Sequence, residues 1–283
     1  MDAGMIWFLI EMLIGVVALS LGLLVGGRKK RIWIPLASIS LVLILLCQWL
    51  RTQPEVVFKL FPLDYSIYFE NTSFVFFALF FFGLASRNVS TRFSRWGILI
   101  LCGLLFVYLF TYLEWIFTPV KVWANISLFD DKGVCMQTTP KTCGAASLVT
   151  LLDRWGIKTD EREMARLSLT SEREGTNPLR MARALIEKTK DEGLKVDLVK
   201  LDWEGLKKVR KPCIVDTRLT YLVNHVVVLF NAIEKEVEIG DPLEGRVVWS
   251  KKEFLERWTG YTILLFKDSP FEEGILIEVT GGE

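Results

Sequence analysis

The chain has 283 residues, 51% of them hydrophobic, with Lys+Arg 34 against Asp+Glu 33 and a net charge of +1. Charge this close to balance excludes the broad basic field of a nucleic-acid binder, so no nucleic-acid partner is expected. A mean hydropathy of +0.35 is high for a wholly soluble protein. The apolar runs crowd into residues 1–118, which predicts a membrane region followed by a soluble one.

Residues 5–25 are apolar apart from Glu11 and long enough to cross a bilayer. Gly26-Gly27 and the cluster Arg28, Lys29, Lys30, Arg31 follow. A secretory signal places its basic residues before the apolar run, so the reversed order predicts a retained span. Residues 32–50 are a second span, and in 51–65 Pro54 and Pro62 break any continuous helix. A phenylalanine-rich third span covers 67–85, with Glu70 and Asn71 read at headgroup level. Arg87, Arg92 and Arg95 lead into a fourth span, 96–117, which Pro119 ends. Few charges lie inside the spans, which favours an anchor over a channel. The basic loops after spans one and three belong in the cytoplasm. Both termini and the soluble domain are therefore expected outside it.

Residues 119–268 read as an α+β domain with an antiparallel sheet, and 269–283 as a peripheral acidic tail. A helix begins at Cys143, with Thr142 as its N-cap and Gly156 as its stop; Ala145, Leu148, Val149 and Leu152 mark its buried face. A short helix covers 160–167. Asn177 caps a longer one, with Pro178 at its first position and Gly193 past its end. Strands are expected at 194–201, 213–216, 225–230, 236–239, 246–249 and 261–266, with helices at 203–209 and 251–258.

Five cysteines, Cys47, Cys102, Cys135, Cys143 and Cys213, show neither zinc spacing nor a disulfide framework; a Cys135–Cys213 bridge stays open. Cys143 falls on a first helical turn, where unpaired N–H groups and the helix dipole favour a thiolate. A small buried cysteine would read the same way. His225, the chain's only histidine, is either a structural residue opening an apolar strand or the base a cysteine nucleophile needs. Asp241, in Gly240-Asp241-Pro242, is either a turn former or the group that orients His225, since two antiparallel neighbours would bring both to one sheet edge. Gln137 is a loop glutamine or an oxyanion donor beside the Cys143 amide.

Gln137, Cys143-Gly144-Ala145-Ala146-Ser147-Leu148, His225-Val226-Val227-Val228 and Gly240-Asp241-Pro242 together resemble the papain-like cysteine peptidases that process bacteriocins by cutting double-glycine leader peptides. Glu174-Gly175-Thr176-Asn177 and the ending FLERWTGY also fit, so the resemblance covers residues 121–266. It implies Cys143 as nucleophile, His225 as general base and acid, Asp241 as orienting residue and Gln137 as oxyanion donor. It further implies a peptide substrate, no metal or organic cofactor, and a bacterial cytoplasmic membrane.

Family domains of this kind are usually fused to an ABC exporter, whereas here four spans precede the domain and no G-x-x-x-x-G-K-[ST] motif occurs. The expectation is a membrane-anchored thiol protease. The alternatives are a peptide-binding module of the same fold, or an amidase or acyltransferase using the same triad.

Overall fold

A computed structural model describes residues 3–27, 30–69, 72–112, 118–122, 127–209, 212–221 and 223–267. Glu70, Asn71, Arg28, Lys29, residues 113–117 and the tail with Gly281-Gly282 lie outside the described residues. The chain divides into two compact units, Met1–Phe117 and Thr118–Glu283.

The first unit is helical: α1 (Ala3–Gly26), α2 (Lys30–Arg51), α3 (Pro54–Leu60), α4 (Leu63–Phe69), α5 (Ser73–Ser86) and α6 (Arg92–Tyr112). Among the described residues, three helices contain stretches long and apolar enough to cross a membrane, Met5–Gly26, Ile32–Arg51 and Arg92–Tyr112. The third expected span, 67–85, is divided between α4 and α5. Residues 70–73 read Glu-Asn-Thr-Ser, and Asn, Thr and Ser carry side chains that compete with a helix for backbone hydrogen bonds. With 14 residues, α5 is about 21 Å long, short of a ~30 Å hydrocarbon core. The two prolines do more than interrupt: Pro54 takes the first position of α3, and Pro62 precedes α4.

Although short, α5 is the helix around which this unit packs, burying Val75, Ala78, Leu79, Gly83 and Leu84. It meets α1 backbone to backbone. A Cβ on Gly22 would lie 2.3 Å from the Phe80 carbonyl oxygen and 3.0 Å from Gly83 Cα, an approach open only to small residues. Asn88 Nδ2 donates to the Gly26 carbonyl at 3.1 Å. Gly26 is thus a packed helix end.

In the second unit a hairpin of two short strands, β1 (Leu128–Phe129) and β2 (Cys135–Met136), precedes α7 (Cys143–Arg154), α8 (Glu161–Leu167) and α9 (Pro178–Thr189). Then follow β3 (Lys195–Lys200), α10 (Trp203–Lys207), β4 (Cys213–Thr220), β5 (Val223–Ala232), β6 (Glu236–Asp241), β7 (Gly245–Ser250), α11 (Lys251–Arg257) and β8 (Trp258–Phe266). The six-stranded sheet runs β3-β8-β4-β5-β6-β7, and every pairing is antiparallel. Trp203, Leu206 and Phe254 from α10 and α11 close a core with Val215, Val227, Leu229, Val237, Ile239 and Trp249 from the strands. Against β4, β5 and β6 lies α7. Cys135 and Cys213 are both buried free thiols, so the bridge left open by the sequence is not formed.

Candidate active site

The face predicted for α7 is buried, and everything from Gly144 to Leu152 is buried with it. The helix stops in a left-handed glycine cap. Gly156, at φ 72°, donates to the Asp153 carbonyl, and Ile157 donates to Leu152. At the other end the expected N-cap is absent: Thr142 makes no side-chain cap bond, and its hydroxyl donates to the Thr139 carbonyl at 3.0 Å. The first turn, with Cys143 as its first residue, therefore carries no side-chain cap from Thr142.

Two contacts fix the depth and register of that turn. A Cβ on Gly144 would lie 2.5 Å from Thr176 Cγ2 and 2.9 Å from Met181 Sδ, so only glycine lets the Glu174–Asn177 loop close over the helix start. One turn past Cys143, the buried Ser147 hydroxyl donates to the Val226 carbonyl at 2.9 Å. Val226 follows His225, so this bond ties the cysteine's helix to the histidine's strand.

His225 and Asp241 are each 3% exposed, and His225 Nε2 shares a 2.8 Å hydrogen bond with Asp241 Oδ1. Cys143 lies close enough to the ring to favour its charged form as well. With Nε2 engaged by the carboxylate, Nδ1 is the nitrogen left for the sulfur. Burial disfavours the charged ring, but Asp241 and Cys143 outweigh it and push His225 up to about 9. Asp241 is the last residue of β6, paired with Gly245, rather than a turn residue beyond the strand. Its Oδ1 also accepts the Leu243 N–H at 2.7 Å. Cys135 presents the opposite case, a thiol that burial pushes up to about 12.

Gln137 lies on the loop between β2 and α7. Its N–H donates to the Pro242 carbonyl at 3.0 Å, which joins this loop to the turn after Asp241. Its Nε2 donates to the Thr139 carbonyl at 2.8 Å, which occupies one amide hydrogen and leaves the other. The structure therefore joins His225 to Asp241 by a hydrogen bond, places Cys143 near the ring and ties the Gln137 loop to the turn after Asp241.

Three acidic residues that the sequence did not single out hold backbone or buried positions elsewhere in this domain. Burial pushes the Asp216 carboxyl up to about 6, against a hydrogen bond from Thr259 and the positive charges of Arg218 and His225. Asp130 accepts the N–H groups of Val134 at 2.6 Å, Lys132 at 3.0 Å and Arg246 at 3.0 Å. These bonds and Lys132 outweigh its partial burial and hold its carboxyl below the ordinary value. Glu161, 1% exposed, accepts the Thr138 N–H at 2.9 Å. A buried acid in a strand, as in Cys-Ile-Val-Asp, was the one signal visible in the sequence, and only for Asp216.

Residues 131–270 match the model of the Peptidase C39 family. The domain belongs to that family. At family level it is a cysteine peptidase domain. The C39 domain is 28% identical over 146 residues to an uncharacterized protein of Methanothermobacter thermautotrophicus, a match covering 52% of this chain and 96% of the relative. It is similar, at 27% identity and a TM-score of 0.42, to a double-glycine motif protease from an AMS/PCAT transporter solved with its leader peptide, covering 51% of this chain and 96% of that one. The peptidase domain of Streptococcus ComA, a bifunctional ABC transporter of a quorum-sensing pathway, is 24% identical, with a TM-score of 0.41 over 46% of this chain and 95% of its own.

Proposed function

We propose that this protein is a membrane-anchored cysteine endopeptidase whose C39 domain, residues 119–268, cleaves peptides after a double-glycine site. The observation that carries this reading is the buried imidazole: Asp241 holds one ring nitrogen at 2.8 Å, and Cys143, at a helix start, lies beside the ring. Asp241 fixes the ring and favours its protonated form, so His225 accepts the thiol proton and leaves a thiolate. The thiolate attacks the peptide carbonyl. The second Gln137 amide hydrogen and the Cys143 N–H take the oxyanion. His225 then returns the proton to the leaving amine, and water, deprotonated by His225, releases the acyl group and restores the thiol.

In this reading α1, α2 and α6 cross the bilayer together with a broken span. The seven residues of α4 and fourteen of α5 reach about 30 Å between them. The basic loops then keep the C39 domain and both termini outside the cytoplasm. The test is full-length protein in nanodiscs with a peptide carrying one Gly-Gly pair. A free-acid product ending in Gly-Gly, lost in Cys143→Ala, is expected. Binding without turnover, or a product transferred to an added amine in place of water, refutes the peptidase reading. An impermeant thiol reagent that modifies Cys143 only after lysis refutes the orientation.

A further inference from the structure

Glu161 opens α8 with its side chain turned inward. It is 1% exposed, and its own N–H donates to Ser127 Oγ at 2.9 Å. Oε1 accepts the Thr138 N–H at 2.9 Å, and Oε2 is buried with no hydrogen-bond partner among the described residues. A half-satisfied carboxylate in an interior is costly, and a neutral apolar side chain would fill the same space at less cost. An acid in a first helical turn needs no explanation, but its burial does. Helix capping does not supply one, because Asp160 already caps α8 by accepting the Glu163 N–H at 2.7 Å.

What the carboxylate holds is the residue next to Gln137. The Gln137–Thr142 loop touches the rest of the domain through few bonds: Gln137 N–H to Pro242 on one side, and Thr138 N–H to Glu161 on the other. Within the loop, Gln137 Nε2 and the Thr142 hydroxyl both close onto the Thr139 carbonyl. We infer that Glu161 is a positioning residue which clamps this loop from the α8 side and so aims the Gln137 amide at the oxyanion. The inference rests on the reading of Gln137 as oxyanion donor. Glu161 touches neither the sulfur nor the imidazole, so it acts on the tetrahedral state and not on the nucleophile.

Two measurements on full-length protein in nanodiscs separate these effects. The first is the alkylation rate of Cys143 by iodoacetamide, which reports the nucleophile alone. The second is the affinity of a peptide aldehyde ending in Gly-Gly. There the thiol adds across the C=O, sulfur to carbon and proton to oxygen, and the new oxygen occupies the oxyanion position. Glu161→Asp withdraws the acceptor by one methylene while keeping charge and fold. It is expected to weaken the aldehyde by roughly tenfold to a hundredfold with alkylation unchanged within about twofold. Glu161→Gln, which still presents an oxygen to Thr138, is expected to bind it as the unsubstituted protein does.

Wild-type aldehyde affinity in Glu161→Asp, beside a weakened Gln137→Ala, overturns the role of Glu161 alone. Equal losses in both measurements overturn it in favour of a general packing role. Unchanged aldehyde affinity in Gln137→Ala overturns the oxyanion reading and the inference with it.

Discussion

His225 is the chain's only histidine, so its ring signal can be followed by NMR without an assignment problem. The site predicts where it titrates. Asp241 and Cys143 push the ring from an ordinary 6.5 up to about 9 against burial, and the gap corresponds to roughly 3 kcal/mol in favour of the imidazolium. Asp241→Asn keeps the shape of the side chain and removes its charge. Burial then opposes Cys143 alone, and the midpoint is expected to fall by about one to two pH units, each worth about 1.4 kcal/mol. The assay is a pH titration of histidine-labelled protein from pH 5 to 10. Linked stability follows the same direction. A raised folded-state value contributes stability that is complete below about 6.5 and lost as the pH rises through about 9, so unfolding resistance should decline across that window and flatten in Asp241→Asn. A ring that titrates near 9 in both proteins refutes the reasoning.

Further outcomes follow from the contacts around the site. Gly144→Ala forces a methyl into the space of Thr176 and Met181; it should cost about 1–3 kcal/mol in denaturant unfolding and slow Cys143 alkylation. Ser147→Ala leaves the Val226 carbonyl without its buried donor, for a loss of about 1–3 kcal/mol by the same measurement. Asp130→Ala strands three backbone N–H groups and should lose about 1–2 kcal/mol near neutral pH. Because the Asp130 carboxyl is held low, that stability is present above about pH 4 and fades in acid, so the two proteins should converge there.

The residues of the proposed triad could be read from the sequence because each stands beside local punctuation: Cys143 at a loop-to-helix change, His225 at the head of an apolar run, Asp241 between Gly240 and Pro242. Residues that hold them in place carry no such mark. Ser147 meets Val226 across 79 residues, Glu161 meets Thr138 across 23, and Asp130 meets Arg246 across 116, and no local pattern encodes those distances. Asp-Pro is a turn signal and ends the expected strand at residue 239, whereas the β6–β7 ladder carries the strand through to Asp241. Thr142 has the chemistry of a cap, yet Thr139 captures its hydroxyl. In the first unit, hydropathy averages over the polar 70–73 stretch and so reads one span where two helices form. The tight α1–α5 crossing at Gly22 and Gly83 likewise depends on a pairing between helices that a single glycine does not announce.

The central claim is that His225 makes Cys143 a nucleophile. Competition between the cysteines of one chain tests it most directly. Full-length protein is treated with a substoichiometric peptide electrophile at pH 7, and each of Cys47, Cys102, Cys135, Cys143 and Cys213 is quantified by peptide mass spectrometry. Modification is expected at Cys143, with its rate falling roughly a hundredfold or more in His225→Ala. An equal Cys143 rate with and without the imidazole contradicts it.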